Sequence, residues 1–412
     1  MDDKTRLEEA VRLHQAGRLD DAARILTELI RATPENAAAH GALGAVRLQQ
    51  GDLREAIAAF DAALAADPAQ PFVLLNKGLA LRATRRLDEA LVSFDAAIAY
   101  APDLAPAHLQ RGFVLMQRGQ LDEALASFDN AIALAPENPA AWLTSGMVLS
   151  RRGELEAALA RFAKVTALAP NLPDGHQNAG VTLQALKRPR EALRCFERVI
   201  ALASQSAEAR FGRGVALVSL EQFAAAAEAF AEAVRLKPSY AEAHAHLGGT
   251  LAKQERWDEA LASLDRALEL DPDLDFVAGE RLHLQMKLCD WRGAEERAAK
   301  IMGRIEAGKL VATPYAVVTT WSNPAQQLRV ARLQTEKLFS TKASACGPYR
   351  HERIRLGYFS SDYFDHATAL LIAGMIEQHD RARGKEIPHG DLQPRREFVY
   401  SHRTSLPELS SP

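Results

Sequence analysis

Residues whose types and spacing could do chemistry are few in this chain, and the densest group lies towards its C-terminal end. Ser360, Ser361, Asp362 and His366 bring two hydroxyls, a carboxylate and an imidazole into one short segment. Such groups act as nucleophile, orienting group and general base in acyl transfer. The segment lacks the glycine spacing that lifts a nucleophilic serine onto a strained strand-to-helix turn, and Asp362 and His366 are crowded into one loop. A hydrolase is therefore not expected. A second set is periodic: His40, His108, His176 and His244. Regular imidazoles raise a metal site or a pH switch. They stand two periods apart in the repeat described next, too far to share one ion, so they are expected to be polar-tipped packing residues. Gly248 and Gly249 fall inside a helical stretch and form no phosphate loop.

The elements that would position these residues recur every 34 residues. With units starting at Asp3, Ala37, Pro71, Ala105, Pro139, Pro173, Ala207 and Ala241, position eight is Ala10 and then glycine from Gly44 to Gly248. Position twenty is alanine throughout, from Ala22 to Ala260, and position twenty-four is Leu26, six phenylalanines and Leu264. Position thirty-two is proline except at Ser204. A glycine inside a helix costs about 1 kcal/mol against alanine, so position eight must meet a very close neighbour, with the alanine at twenty as the expected small partner. The phenylalanine would fill the core between hairpins, and the proline would stop the second helix. Asp20, Asp88, Asp122 and Asp258 are expected just ahead of the second helices, where carboxylates suit free N–H groups. The pattern resembles the tetratricopeptide repeat. It implies an all-α, right-handed superhelix of eight clear hairpins over residues 3–274, an array that presents a surface.

Composition narrows the function classes. The net formal charge of −3 gives no reason to expect nucleic acid or an acidic membrane as partner. No segment approaches the run of about 18 apolar residues that a spanning helix needs, and the charged start Met1-Asp2-Asp3-Lys4 has no apolar run behind it. Three cysteines, Cys195, Cys289 and Cys346, are odd in number and lack metal-like spacing, which suits a reducing compartment. The expectation is a soluble, cytoplasmic protein with no cofactor or metal.

Beyond the array the pattern changes. Residues 275–308 read as a degenerate ninth hairpin, broken at Cys289-Asp290-Trp291, in which Leu282 replaces the glycine and Ala294 keeps position twenty. Residues 309–350 read as a connecting region, with turns at Pro314 and Asn323-Pro324 and a helix from Pro324 to about Phe339. Ile354 to Phe359 reads as a short strand, Ser360 to Asp362 as a loop and Thr368 to His379 as a helix, the opening of an α/β layer.

Cys289-Asp290-Trp291 after a tetratricopeptide array, then Arg353 to Asp362 and His366 to Leu371, resembles the protein O-linked N-acetylglucosamine transferases of bacterial type. That resemblance implies a catalytic region of two Rossmann-like halves, of which residues 351–383 would be a fragment of the first. It implies that His366 matches the active-site histidine, a candidate for proton handling, and that Asp362 lies in the same loop. It places the sugar-nucleotide contacts mainly in the second half. One such half needs roughly 100 residues, whereas 60 run from Arg353 to Pro412. UDP-N-acetylglucosamine is therefore expected as a partner only of a completed catalytic region. The segment 384–412, with four prolines and little periodicity, is expected to be an irregular, aberrant tail that leaves the catalytic region truncated.

The first helices are expected to line a concave groove with positions such as two, five, six, nine and twelve, holding a protein or peptide. The resemblance implies a ladder of asparagines at position six that grips peptide backbone. Asn76 and Asn178 match it, while Ala42, Gln110, Thr144, Gly212 and His246 replace the rest. Positions five and nine are apolar in the middle units: Leu75, Leu79, Leu109, Phe113, Leu143, Met147 and Phe211. They are either an exposed apolar stripe that marks a binding surface or packing between adjacent first helices. The functional expectation is a protein-interaction scaffold, the substrate-selecting arm of a transferase-like protein. The alternatives are transfer of N-acetylglucosamine to protein Ser or Thr, and a truncated product without function.

Overall fold

The computed structural model describes residues 2–319 and 322–338. The strand, loop and helix expected at 354–379, the tail, and both His366 and Asp362 lie outside the described residues. Among the described residues the secondary structure is entirely helical.

The hairpins follow one another without insertion. They are α1 (Asp3–Gln15) with α2 (Leu19–Ala32), α3 (Ala37–Gln50) with α4 (Leu53–Ala66), and α5 (Pro71–Ala83) with α6 (Leu87–Tyr100). Then come α7 (Ala105–Gln117) with α8 (Leu121–Leu134), α9 (Pro139–Arg151) with α10 (Leu155–Leu168), and α11 (Pro173–Ala185) with α12 (Pro189–Leu202). The last regular pairs are α13 (Ala207–Ser219) with α14 (Phe223–Leu236) and α15 (Ala241–Lys253) with α16 (Trp257–Leu270). A shorter pair, α17 (Val277–Lys287) and α18 (Ala294–Glu306), follows them. Pro314 opens α19 (Pro314–Val318) at its first turn, where a missing N–H costs nothing, and does not merely mark a turn. The last described element is α20 (Pro324–Leu338).

Position eight meets a different partner from the one its spacing suggests. A β-carbon on Gly44, Gly78, Gly112, Gly146 or Gly214 would stand 2.4–2.6 Å from a ring carbon of the phenylalanine at position twenty-four of the same hairpin. The ring stands directly against bare backbone, and the alanine at position twenty is fully buried nearby. Phe196 is held on two sides, because a β-carbon on Gly212 would also come within 2.5 Å of its ring.

Helix ends are set by recurring local devices. Asp2, Asn36, Asn138 and Ser206 cap first helices by accepting a backbone N–H. Asp20, Asp88, Asp122 and Asp258 are not caps: they sit inside the first turn of the second helices, which have no side-chain cap there. Their charge still suits the helix N-terminus, but three of them reach across hairpins: Asp20 accepts from Gln50 Nε2 at 2.8 Å, Asp88 is 2.6 Å from Arg118 and Asp122 is 2.6 Å from Arg152. Position fifteen, in the turn between the two helices, takes a left-handed φ in every unit. It is Gly17, Gly51, Arg85, Gly119, Gly153, Lys187, Glu221 and Glu255, and then Cys289 in the ninth hairpin.

The four periodic histidines have one task. Nε2 of His40, His108, His176 and His244 donates to the carbonyl of the proline six residues before it, at 2.8, 2.9, 3.1 and 3.2 Å. A carbonyl only accepts, so Nε2 carries the proton. Trp142 makes the same bond to Pro136 through its indole N–H at 2.8 Å. Position four thus pins each of these first helices to the end of the preceding hairpin.

Candidate functional site

Within α1–α16, the backbone of each first helix closely approaches that of the next first helix, whereas no two second helices come as close and they meet only through long side chains such as Arg161 on α10 and Asp129 on α8, 3.0 Å apart. The first helices are crowded on one side and the second helices splay apart on the other. The array therefore curves with its first helices on the inner face.

Residues at positions six, nine and twelve follow one another at i, i+3 along each first helix and form one ridge. On α5 the ridge is Asn76, Leu79 and Arg82; on α7 it is Gln110, Phe113 and Met116; on α9 it is Thr144, Met147 and Ser150; on α11 it is Asn178, Val181 and Gln184. Most of these side chains are half-buried, as expected of a groove floor. The ridge reaches the next first helix: Gln184 Nε2 donates to the Gly212 carbonyl at 2.8 Å, and the Arg82 guanidinium lies 5.5 Å from the centre of the Phe113 ring.

The apolar residues singled out from the sequence divide by position. Leu75 and Leu109, at position five, are buried in the core. Leu143 and Phe211, also at position five, are half-buried, and Phe211 packs on Phe230, Tyr240 and His246 with ring centres 5.6, 5.1 and 5.1 Å away. At position nine, Leu79, Phe113 and Met147 are half-buried, and Phe113 meets Phe128 edge to face at 5.6 Å. Position five is thus largely occupied by packing between helices, and the accessible apolar row runs along position nine. Val181 belongs to that row and is 50% exposed. Its register in the sequence points to it, but a valine gives no signal there beyond its spacing.

The amides of the floor differ in what they have left to bond. Asn178 Nδ2 donates to the Asp174 carbonyl on its own helix. Asn76 makes no side-chain hydrogen bond among the described residues. The buried Oε1 of Gln110 likewise has no hydrogen-bond partner there, nor has that of Gln177 at position five. Thr144 is turned back onto the carbonyl of Ala140 at 2.8 Å. Gly212 leaves room for the Phe196 ring, so no side chain stands at that point of the floor. His246 keeps an open edge but is crowded by Phe211 and Phe230, and the loss of water around it lowers its imidazole below the ordinary value.

Among the described residues no group of three or more His, Cys, Asp or Glu side chains could hold a metal ion. No described helix is long and apolar enough to cross a membrane. Cys195 and Cys289 are free thiols.

Paired helices at a fixed period, a curved inner face and nearest-neighbour contacts define a helical-repeat protein whose surface is its working part. The tetratricopeptide repeat family model matches residues 7–71, 75–138, 178–240 and 214–275, more than half of the chain, and a second tetratricopeptide repeat model matches residues 115–179. The chain belongs to the tetratricopeptide repeat family. No curated protein matches it. Among solved structures it is similar to YrrB, described as a TPR protein with an unusual peptide-binding site, at 28% identity and a TM-score of 0.40 over 44% of this chain and 93% of that one. It is also similar to MamA from Desulfovibrio magneticus RS-1, at 27% identity and a TM-score of 0.40 over 42% and 97% of the two chains. PilF of Pseudomonas aeruginosa is 20% identical with a TM-score of 0.46, over 50% and 95% of the two chains.

Proposed function

We propose that the chain is a protein-interaction scaffold that holds an extended peptide segment along the inner face of its array. The observation that carries this reading is the floor itself. Accessible apolar side chains at position nine alternate with amides at position six, and some of those amides have no partner. An extended chain offers both apolar side chains and backbone groups that satisfy amides, which is how peptide grooves gain affinity and register. The test is selection of dodecapeptides from a random library on the purified chain, followed by titration against Val181→Asp. Val181 is exposed, so the substitution leaves the fold intact and should weaken the selected peptides at least tenfold. A chain that enriches no peptide, or a Val181→Asp variant that binds every selected peptide unchanged, refutes the reading.

The residues from Arg353 to Arg383 support a second reading, in which the array is the substrate-selecting arm of a protein O-linked N-acetylglucosamine transferase. His366 and Asp362 would then belong to a catalytic cleft that transfers the sugar from UDP-N-acetylglucosamine to Ser or Thr. Heat released on titrating UDP into the purified chain would favour this reading, and the absence of binding would leave the scaffold alone.

A further inference from the structure

The ridges at positions six, nine and twelve carry one permanent charge from the second hairpin to the eighth. At positions six, nine and twelve of the second to eighth hairpins, every side chain is apolar, an amide, a hydroxyl or an imidazole except Arg82. Four half-buried cations elsewhere in the array are paired, Arg47 with Glu55, Lys77 with Asp61, Arg111 with Asp95, and Arg210 with Glu232, at 2.6–2.9 Å, whereas Arg6 and Arg213 lie outside positions six, nine and twelve of the second to eighth hairpins. Arg82 has no ion pair and no side-chain hydrogen bond among the described residues. It is held over the face of Phe113. Attraction of the cation to an aromatic face holds the guanidinium near the ring without using its N–H donors on an anion. The neighbouring Gln110 Oε1 on α7 and Asn76 on α5 are also without partners. Burial lowers the guanidinium below the ordinary arginine value, the direction expected of a cation that has lost water without gaining a counter-ion.

We propose that the groove takes a peptide whose central residue is Asp or Glu flanked by apolar residues, and that Arg82 fixes its register by binding that carboxylate. The inference rests on the peptide-groove reading above. The carboxylate is assigned to a side chain rather than to a chain end because the floor continues uncharged on both sides of Arg82, through Leu48 on α3 and through Met116 on α7. A peptide lying in it runs past Arg82 in both directions. Position two adds a sense of direction. It is uncharged from α3 to α9, at Ala38, Phe72, Pro106 and Ala140, and acidic from α11 to α15, at Asp174, Glu208 and Glu242. Glu208 is offset by Lys237 at 3.1 Å, so an acidic side chain is repelled from the second stretch chiefly by Asp174 and Glu242 and is accepted beside Arg82. Phe72 is 66% exposed one turn before Asn76 on the same helix, an apolar contact for a residue flanking the carboxylate.

The experiment takes the strongest dodecapeptide from the library selection, synthesised with both ends capped, and measures its fluorescence anisotropy with the full chain. A charge-assisted bidentate pair predicts at least a tenfold loss of affinity for Arg82→Gln. It predicts a similar loss when the peptide's central Glu is replaced by Gln, and little further loss when both changes are combined. Selected peptides without an enriched carboxylate, or affinities unmoved by Arg82→Gln, overturn the proposal while leaving the groove reading intact. Enrichment of no peptide overturns both. If Arg82→Gln lowers the melting temperature, the Glu→Gln peptide on the wild-type chain decides alone: a loss supports the pairing, and no loss overturns it.

Discussion

A β-carbon on Gly78 would stand 2.4 Å from Cε1 of Phe94, closer than any relaxed carbon contact. The Phe94 ring is fully buried and hemmed in by its own core, so it cannot swing aside cheaply. Gly112 and Phe128 repeat the relationship at 2.6 Å. Gly112→Ala gains helix propensity of about 1 kcal/mol but overpacks the core by about 1–3 kcal/mol, so urea denaturation should show a net loss. The first hairpin pairs Ala10 with Leu26 instead. The double variant Gly112→Ala with Phe128→Leu should therefore cost less than the sum of the single changes, because the smaller side chain opens the space the new methyl needs.

The left-handed turns give a prediction of opposite sign. Lys187 and Glu221 hold φ near +59°, a conformation that costs a side chain about 1–2 kcal/mol. Lys187→Gly and Glu221→Gly should each raise stability by up to about 1 kcal/mol, reduced by the extra freedom glycine has when unfolded. Gly119→Ala, at the same position with φ +76°, should lower it. Denaturation midpoints of the three variants decide the sign.

Position four is expected to tolerate exchange between its two donors. His108→Trp should keep the bond to the Pro102 carbonyl as Trp142 keeps its own to Pro136. His108→Leu removes the donor and should cost about 1 kcal/mol. A thermal melt that fails to separate the two variants would dissociate this bond from stability.

His246 contributes a pH dependence. Its imidazole is lowered from 6.5, chiefly by loss of water, with Glu242 acting in the opposite direction. A group lowered in the folded state binds protons more readily once unfolded, so its contribution is present above the unfolded value and is lost as pH falls. Wild-type stability should therefore decline below about pH 6.5 more steeply than that of His246→Phe, which keeps a ring against Phe211 and Phe230. Parallel denaturation curves for the two proteins from neutral to mildly acidic pH would contradict this.

Leu109 and Val181 should separate packing from binding. Leu109 is buried, and Leu109→Ser should cost at least about 2 kcal/mol. Val181→Ser touches an exposed side chain and should stay within about 0.5 kcal/mol, so any loss of peptide affinity in that variant reports on the groove. Circular dichroism melts alongside the titrations check both.

The period in the sequence is enough to place all sixteen helices of the array, because glycine, phenylalanine and proline each leave a mark on one fixed position. What it misses lies in partners rather than in elements. Spacing suggests that position eight meets the alanine at position twenty, and Gly248 does approach Ala260, but in every hairpin from the second to the eighth the nearest atoms belong to the side chain at position twenty-four. The histidine ladder is legible as packing, but its hydrogen bond is not, since the acceptor is a backbone carbonyl and carbonyls are the same in every residue. Asp88 and Asp122 read as caps because a carboxylate near a helix start suits either role, and only the positions of Arg118 and Arg152 decide between them. Arg82 gives no signal, because being unpaired is a property of its surroundings.

The turn at position fifteen and the pin at position four also bear on how such a chain can change its length. The same backbone bend recurs nine times, and five junctions use the same donor-to-proline bond. A duplicated or deleted block of one period meets matching chemistry at both of its edges. Recombination can therefore lengthen or shorten the array in whole hairpins. Each event would add or remove one complete ridge of the floor, and those outside the third and fourth hairpins would shift Arg82 relative to the ends without disturbing its seat on Phe113.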